Sequence, residues 1–77
     1  SIDSRSKLMV ELRESVLDQV TRLYFERRRL SAQAAMILDP QLSFDQTMRI
    51  DELTALIDGF TGGKFSEAIE RSRISDQ

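Results

Sequence analysis

The fold follows from the stretch MVELRESVLDQVTRLYFERRRLSAQAAMI, residues 9–37. Its apolar residues return at alternating steps of three and four, which is the spacing of one face of an α-helix. A second apolar row lies one residue further round, so the face is wider than the seam of a two-stranded coiled coil. Two arginines interrupt the first row, whose apolar members are Met9, Val16, Val20, Leu23, Leu30, Ala34 and Ile37. The pattern predicts one long amphipathic helix packed in a bundle or coiled coil.

The 77 residues are too few for more than one small domain, and the pattern makes it all-α. Helix 1 is predicted over residues 8–38, after a polar N-terminus at 1–7 that should fray. Asp39 and Pro40 should end this helix, because proline has no amide hydrogen and disfavours helical geometry in the residue before it.

A second helix should follow a link at 39–43. The serine and glutamine of Ser43-Phe44-Asp45-Gln46 have the spacing of a capping box, in which each side chain bonds the backbone amide of the other residue. This predicts helix 2 over residues 44–60, in a segment that ends at Thr61.

A glycine pair, Gly62 and Gly63, should close helix 2, because glycine readily takes the left-handed conformation found at helix C-termini. The remaining segment, 64–77, contains a weaker apolar pattern. It predicts a short third helix over residues 65–74, with Ser66 as a possible N-cap.

The short link makes an antiparallel hairpin the expected arrangement of helices 1 and 2. Their apolar spacings fit a register in which the numbers of paired residues sum to 80, as in Leu30 with Ile50. The predicted hairpin core consists of Val20, Leu23, Leu30, Ala34, Ile50, Leu53, Ile57 and Phe60.

The N-terminal part of helix 1 extends beyond helix 2, because about thirty residues face about seventeen, or roughly 45 Å against 25 Å. The chain's own tail is one possible cover, which would place Phe65 near Val16 and Ala68 opposite Leu12. A second copy of the protein is the other, and it is preferred, with the tail contributing, because an apolar stripe left open on a monomer promotes aggregation. The predicted oligomer or partner interface consists of Leu8, Met9, Leu12, Val16, Leu17, Tyr24 and Phe25.

Composition excludes several classes of function. The net charge of −2 gives no reason to expect nucleic acid as a partner, and no apolar run reaches the roughly 18–20 residues of a membrane span. Cysteine and histidine are absent, which excludes disulfides and the usual zinc sites. No metal, cofactor or small-molecule substrate is predicted. Residues 1–38 carry seven Lys/Arg against five Asp/Glu and residues 39–77 four against eight, so the halves differ in sign at +2 and −4.

Little in the chain suits catalysis, and no catalytic residue is predicted. Arg13 and Arg27 occupy positions that the stripe reserves for apolar side chains. They are predicted either to face an anionic ligand or to lay their stems along the seam and reach a carboxylate at its edge. The candidate carboxylates are Glu14, Asp51 and Asp58.

The stretch from Glu14 to Gly63 resembles the C-terminal helical-hairpin segment of large, poorly characterised bacterial proteins of the cell envelope. The resemblance is carried by LYFERRRL at 23–30, the Asp-Pro link, and ELTA at 52–55 followed by the glycine pair. It implies a bacterial source, a structural or assembly role and a place in the cell envelope. Without it, a cytoplasmic location would be expected.

A second resemblance concerns the all-helical chorismate mutases, which carry a leucine-arginine pair followed by spaced acidic residues and a further arginine. Leu12-Arg13 and Arg27 are similar to this pattern. Leu17 and Val20 stand where the pattern has acidic residues, and no lysine matches the catalytic one.

Three functions are therefore considered. The first is a helical hairpin that self-associates through the exposed apolar face of its long helix, without catalytic activity. The second is an adaptor whose groove binds a helix of another protein. The third is a small all-α enzyme of the chorismate-mutase type that binds an anion at Arg13 and Arg27.

Overall fold

The computed structural model describes residues 2–76 and builds them into three α-helices. The helices are α1 (Ile2–Ala34), α2 (Pro40–Thr61) and α3 (Lys64–Ser75). α1 and α2 pack side by side as a hairpin, and α3 packs against α2. The prediction of an all-helical chain is confirmed.

α1 starts earlier than predicted. Residues 2–7, expected to fray, are already helical, while Ser1 lies outside the described residues. The segment contains no glycine or proline, and the carboxylate of Asp3 in the first turn faces the positive end of the helix dipole. α1 therefore has 33 residues and is about 50 Å long.

α1 also ends four residues before the predicted position. After Ala34 the chain makes two tighter bonds, from the Met36 amide to the Gln33 carbonyl at 2.9 Å and from the Ile37 amide to the Ala34 carbonyl at 3.3 Å. Such i→i+3 bonds commonly close the last turn of a helix. The residues after them are needed to reverse the chain before Pro40.

The start of α2 differs from the predicted capping box. Asp39 is extended (φ −74°, ψ 121°) and its carboxylate accepts hydrogen bonds from the amides of Gln41 at 2.8 Å and Leu42 at 3.3 Å. Pro40 takes the first helical position, where its missing amide hydrogen costs nothing. The predicted link at 39–43 is therefore mostly helix. The Gln46 side chain crosses the hairpin instead and donates to the Leu30 carbonyl at 3.4 Å.

The predicted end of α2 is confirmed. Gly62 and Gly63 both have left-handed backbones, with φ of 62° and 82°. The Gly63 amide donates to the Asp58 carbonyl at 3.1 Å and so satisfies one of the last carbonyls of the helix.

α3 begins one residue earlier and ends one residue later than predicted, and its cap comes from another helix. Gly63 is the N-cap residue and has no side chain to offer. The Asp58 carboxylate of α2 accepts from the Ser66 amide at 2.9 Å and from the Ser66 hydroxyl. Ser66 therefore donates to the capping carboxylate and is not itself the N-cap residue. Further along α3, a hydrogen bond from Arg73 lowers the pKa of Glu70.

The core is small. Leu30, Leu53 and Ile57 are its buried side chains among the described residues. Four further residues of the predicted core are half-buried, namely Val20, Leu23, Ala34 and Ile50. Phe60 differs from the prediction because it is 49% exposed. It lies in the last turn of α2 on the same side as Leu53 and Ile57, so a position on the buried side does not ensure burial at the end of the helix.

The N-cap gives a first prediction. Asp39→Ala removes the acceptor for two amides and should lower the free energy of unfolding by about 1 kcal/mol. Ser43→Ala is the matched control, because its hydroxyl caps nothing in this fold, and it should change stability by less than about 0.5 kcal/mol. Urea unfolding at one fixed protein concentration measures both. A larger loss of stability for Ser43→Ala would contradict the Asp39 cap and support the predicted capping box.

The glycines give a second prediction, in which replacement by alanine changes the stability in opposite directions at two sites. Gly62→Ala forces a side chain into a left-handed backbone and should cost about 1–2 kcal/mol. Gly59 is helical and a Cβ there meets no atom within 4 Å, so Gly59→Ala should stabilise by up to about 1 kcal/mol. Thermal unfolding compares the two, and equal effects would contradict the left-handed assignment.

Candidate interaction surface

The N-terminal part of α1 extends beyond α2, the helix that packs against α1. Every residue from 3 to 19, a segment called the arm below, is exposed. Its six large apolar side chains keep 43–58% of their surface in contact with solvent. They are Leu8, Met9, Val10, Leu12, Val16 and Leu17.

The arm presents the same side of α1 that the hairpin buries further along. At 3.6 residues per turn, Leu8, Leu12 and Val16 fall on the side that carries Leu23 and Leu30. α2 covers this stripe only in the second half of α1, because α2 has 22 residues and α1 has 33. The first half of the stripe is therefore open.

α3 does not close the gap. Its backbone contacts α2 and does not approach α1 among the described residues. The Phe65 ring lies edge-on to Tyr24, with 6.1 Å between ring centres, and not near Val16 as predicted. Ala68 is exposed rather than packed opposite Leu12. Two successive left-handed glycines turn the chain away from the α2 axis, which explains why the tail does not continue along α1.

Two aromatic side chains lie beside the contact between α1 and α2. Tyr24 is 40% exposed and lies between Phe25 and Phe65, with ring centres 5.5 Å and 6.1 Å away. Phe25 is 55% exposed on the outer side of α1. Tyr24 thus has partners within the chain, whereas Phe25 is the more open of the two predicted interface rings.

Arg27 sits in the seam without a carboxylate. Its Nε donates to Thr54 Oγ1 at 2.8 Å, and that hydroxyl donates to the Ile50 carbonyl at 2.9 Å. The guanidinium lies over the Phe65 ring, 5.2 Å from its centre, in a cation–π contact. The predicted partners Glu14, Asp51 and Asp58 are not used, because Thr54 on the facing helix is within reach.

Arg13 and Arg27 do not form a joint anion site. Fourteen residues on one helix separate them by about 21 Å along the axis. Arg13 lies in the exposed arm and makes no ion pair with any residue from 2 to 76. Within one chain these two arginines therefore do not hold a single small anion together.

The other edge of the hairpin carries an ion-pair network. Arg49 of α2 donates to Glu26 of α1 through Nε at 3.2 Å and Nη2 at 3.0 Å, and to Glu52 at 2.9 Å. The hydrogen bond to Glu26 raises the pKa of Arg49. Exposed pairs contribute only about 0–1 kcal/mol, so this network positions the helices more than it stabilises them.

The predicted interface omits further exposed apolar side chains. Phe44 and Met48 are four residues apart and lie on the side of α2 away from Leu53 and Ile57, a spacing visible in the sequence. The others lie in the arm, in the link, on α2 and in α3. The omitted residues are Val10, Met36, Leu38, Leu42, Phe44, Met48, Leu56, Phe60 and Ile74.

Among residues 2–76, no helix combines the length and the apolar character needed to cross a membrane. Comparison of the chain with protein-family models, with curated proteins and with solved structures found no match. The resemblance to envelope hairpins, with the role and location that it implies, therefore stays a prediction.

Proposed function

We propose that this chain is an assembly module that self-associates by burying the arm of α1 against a second copy, without chemistry of its own. The observation that carries the proposal is the exposure of the whole arm, residues 3–19, although it bears six large apolar side chains.

The total surface supports this role. The chain exposes 6331 Å², whereas a compact monomer of 8.9 kDa exposes about 4,800 Å². The excess is about 1,500 Å², and a standard protein interface takes about 800 Å² from each partner. The surplus is therefore large enough for an obligate interface between copies.

The shape supports it as well. The radius of gyration is 16.5 Å, against about 11.5 Å for a compact domain of this length. The arm extends beyond the 22 residues of α2 and is exposed along its length. Most helical stability in proteins comes from packing an amphipathic face, so burying the arm against a partner would stabilise it.

A second copy suits the surface better than an unrelated helix. The open stripe needs an amphipathic helix of about seventeen residues, and the arm is itself such a helix. One segment can therefore be both the groove and its occupant, as an isologous interface requires. The adaptor that binds a helix of another protein is the alternative outcome of the test below.

The test replaces apolar residues of the arm with charge. Leu12→Asp together with Val16→Asp should weaken association at least about 100-fold, because each buried aliphatic side chain contributes about 1.5–3 kcal/mol. Sedimentation equilibrium should show the oligomer dissociating, and circular dichroism should show a loss of helix as the arm frays.

Leu38→Asp is the matched control, because Leu38 is 95% exposed in the link and far from the arm. Replacing this apolar residue with an acidic one should leave the mass of the oligomer in sedimentation equilibrium unchanged. A wild-type chain that is monomeric with a fully helical arm would overturn the proposal. A monomer whose arm becomes helical only on addition of another protein's amphipathic helix would favour the adaptor.

A further inference from the structure

We infer that the two arms cross antiparallel, with a twofold axis at Leu12. This arrangement rests on the proposed self-association and adds to it the partner's direction and register. Four observations bear on it: the spacing of the stripe, the position of α2, the type of side-chain ridge and the charges beside it.

The stripe of the arm has the same spacing in both directions from Leu12. Its members are Arg5, Leu8, Leu12, Val16 and Gln19, with steps of three, four, four and three. An antiparallel copy therefore sets Leu8 opposite Val16 and Leu12 opposite itself. The polar residues at both ends fall at the margins of the contact, as in interfaces with an apolar centre and a polar rim.

The position of α2 selects against a parallel copy. α2 already occupies the stripe from Val20 to Ala34, which is the direct continuation of the arm. In a parallel pair, α2 of each copy would lie in the path of α1 of the other. In an antiparallel pair each hairpin points away from the crossing, so the contact is confined to the two arms.

The ridge formed by Leu8, Leu12 and Val16 has a spacing of four residues. Ridges of this kind pack into each other at a crossing angle of about −50°, with axes about 8–10 Å apart. At that angle the N-terminus of the second arm leaves the stripe sideways. We expect it therefore to pass beside the end of α2, which lies at Thr61.

The charged residues beside the stripe weakly favour a parallel pair. In a parallel pair Arg13 of one copy would lie near Glu11 of the other, whereas the antiparallel pair places the two Arg13 side chains along the same edge. Exposed ion pairs contribute about 0–1 kcal/mol, and an arginine can turn its head into water. Overlap of two helices costs far more, so the position of α2 decides.

The test uses the absence of cysteine from the chain. Leu12→Cys should form a covalent dimer on mild oxidation, because helices 8–10 Å apart bring facing Cα atoms within the roughly 4.4–6.8 Å that a disulfide spans. Leu8→Cys alone and Val16→Cys alone should react at least tenfold more slowly, since each would lie about 12 Å from its own copy along the axis. A mixture of these two variants should give the mixed disulfide faster than either variant reacts alone.

Leu38→Cys serves as the control for random collision, and sedimentation of each reduced variant shows that it still associates. Fast reaction of Leu8→Cys and Val16→Cys alone, with no gain on mixing, would establish a parallel pair and overturn the inference while leaving self-association intact. A monomeric wild-type chain with only collisional cross-linking would overturn both.

Discussion

The structure depends on one seam, in which Leu53 and Ile57 of α2 bury against the second half of α1. The apolar side of α1 that meets α2 continues beyond this seam, because the sequence keeps the same helical spacing of apolar residues towards the N-terminus. α2 stops at Gly62, so the same stripe is buried at one end of α1 and exposed at the other. The proposed function follows from this difference in length more than from any single residue.

The polar contacts give this seam its register and contribute little to its strength. Arg27 bonds Thr54 and lies over Phe65, while Arg49 bonds Glu26 on the opposite edge. The three buried leucine and isoleucine side chains supply the main stabilisation, at about 1.5–3 kcal/mol each. A core of this size is little for a chain of 77 residues, which is consistent with a module that completes its stability by associating.

Periodicity and glycine spacing were sufficient to predict the three helices, the hairpin and the end of α2, since these depend on local sequence. The start of α2 was harder because Asp39 and Ser43 are both good N-caps four residues apart. Pro40 at the first helical position favours Asp39, a preference that the capping-box pattern concealed. The position of Phe65 depends on two consecutive left-handed residues, whose combined effect on chain direction has no signature in apolar spacing. The partner of Arg27 was missed for a similar reason, because a threonine at the right height on a facing helix is not distinguishable from others in sequence.

The link between α1 and α2 has a consequence for the assembled state. It carries Met36 and Leu38, which are among the most exposed apolar side chains of the chain. In the proposed pair each link lies about 25 residues, or roughly 37 Å, beyond the crossing point, so the two tips are about 70 Å apart and face opposite ways. The dimer is then an elongated rod whose two ends expose the same pair of apolar side chains.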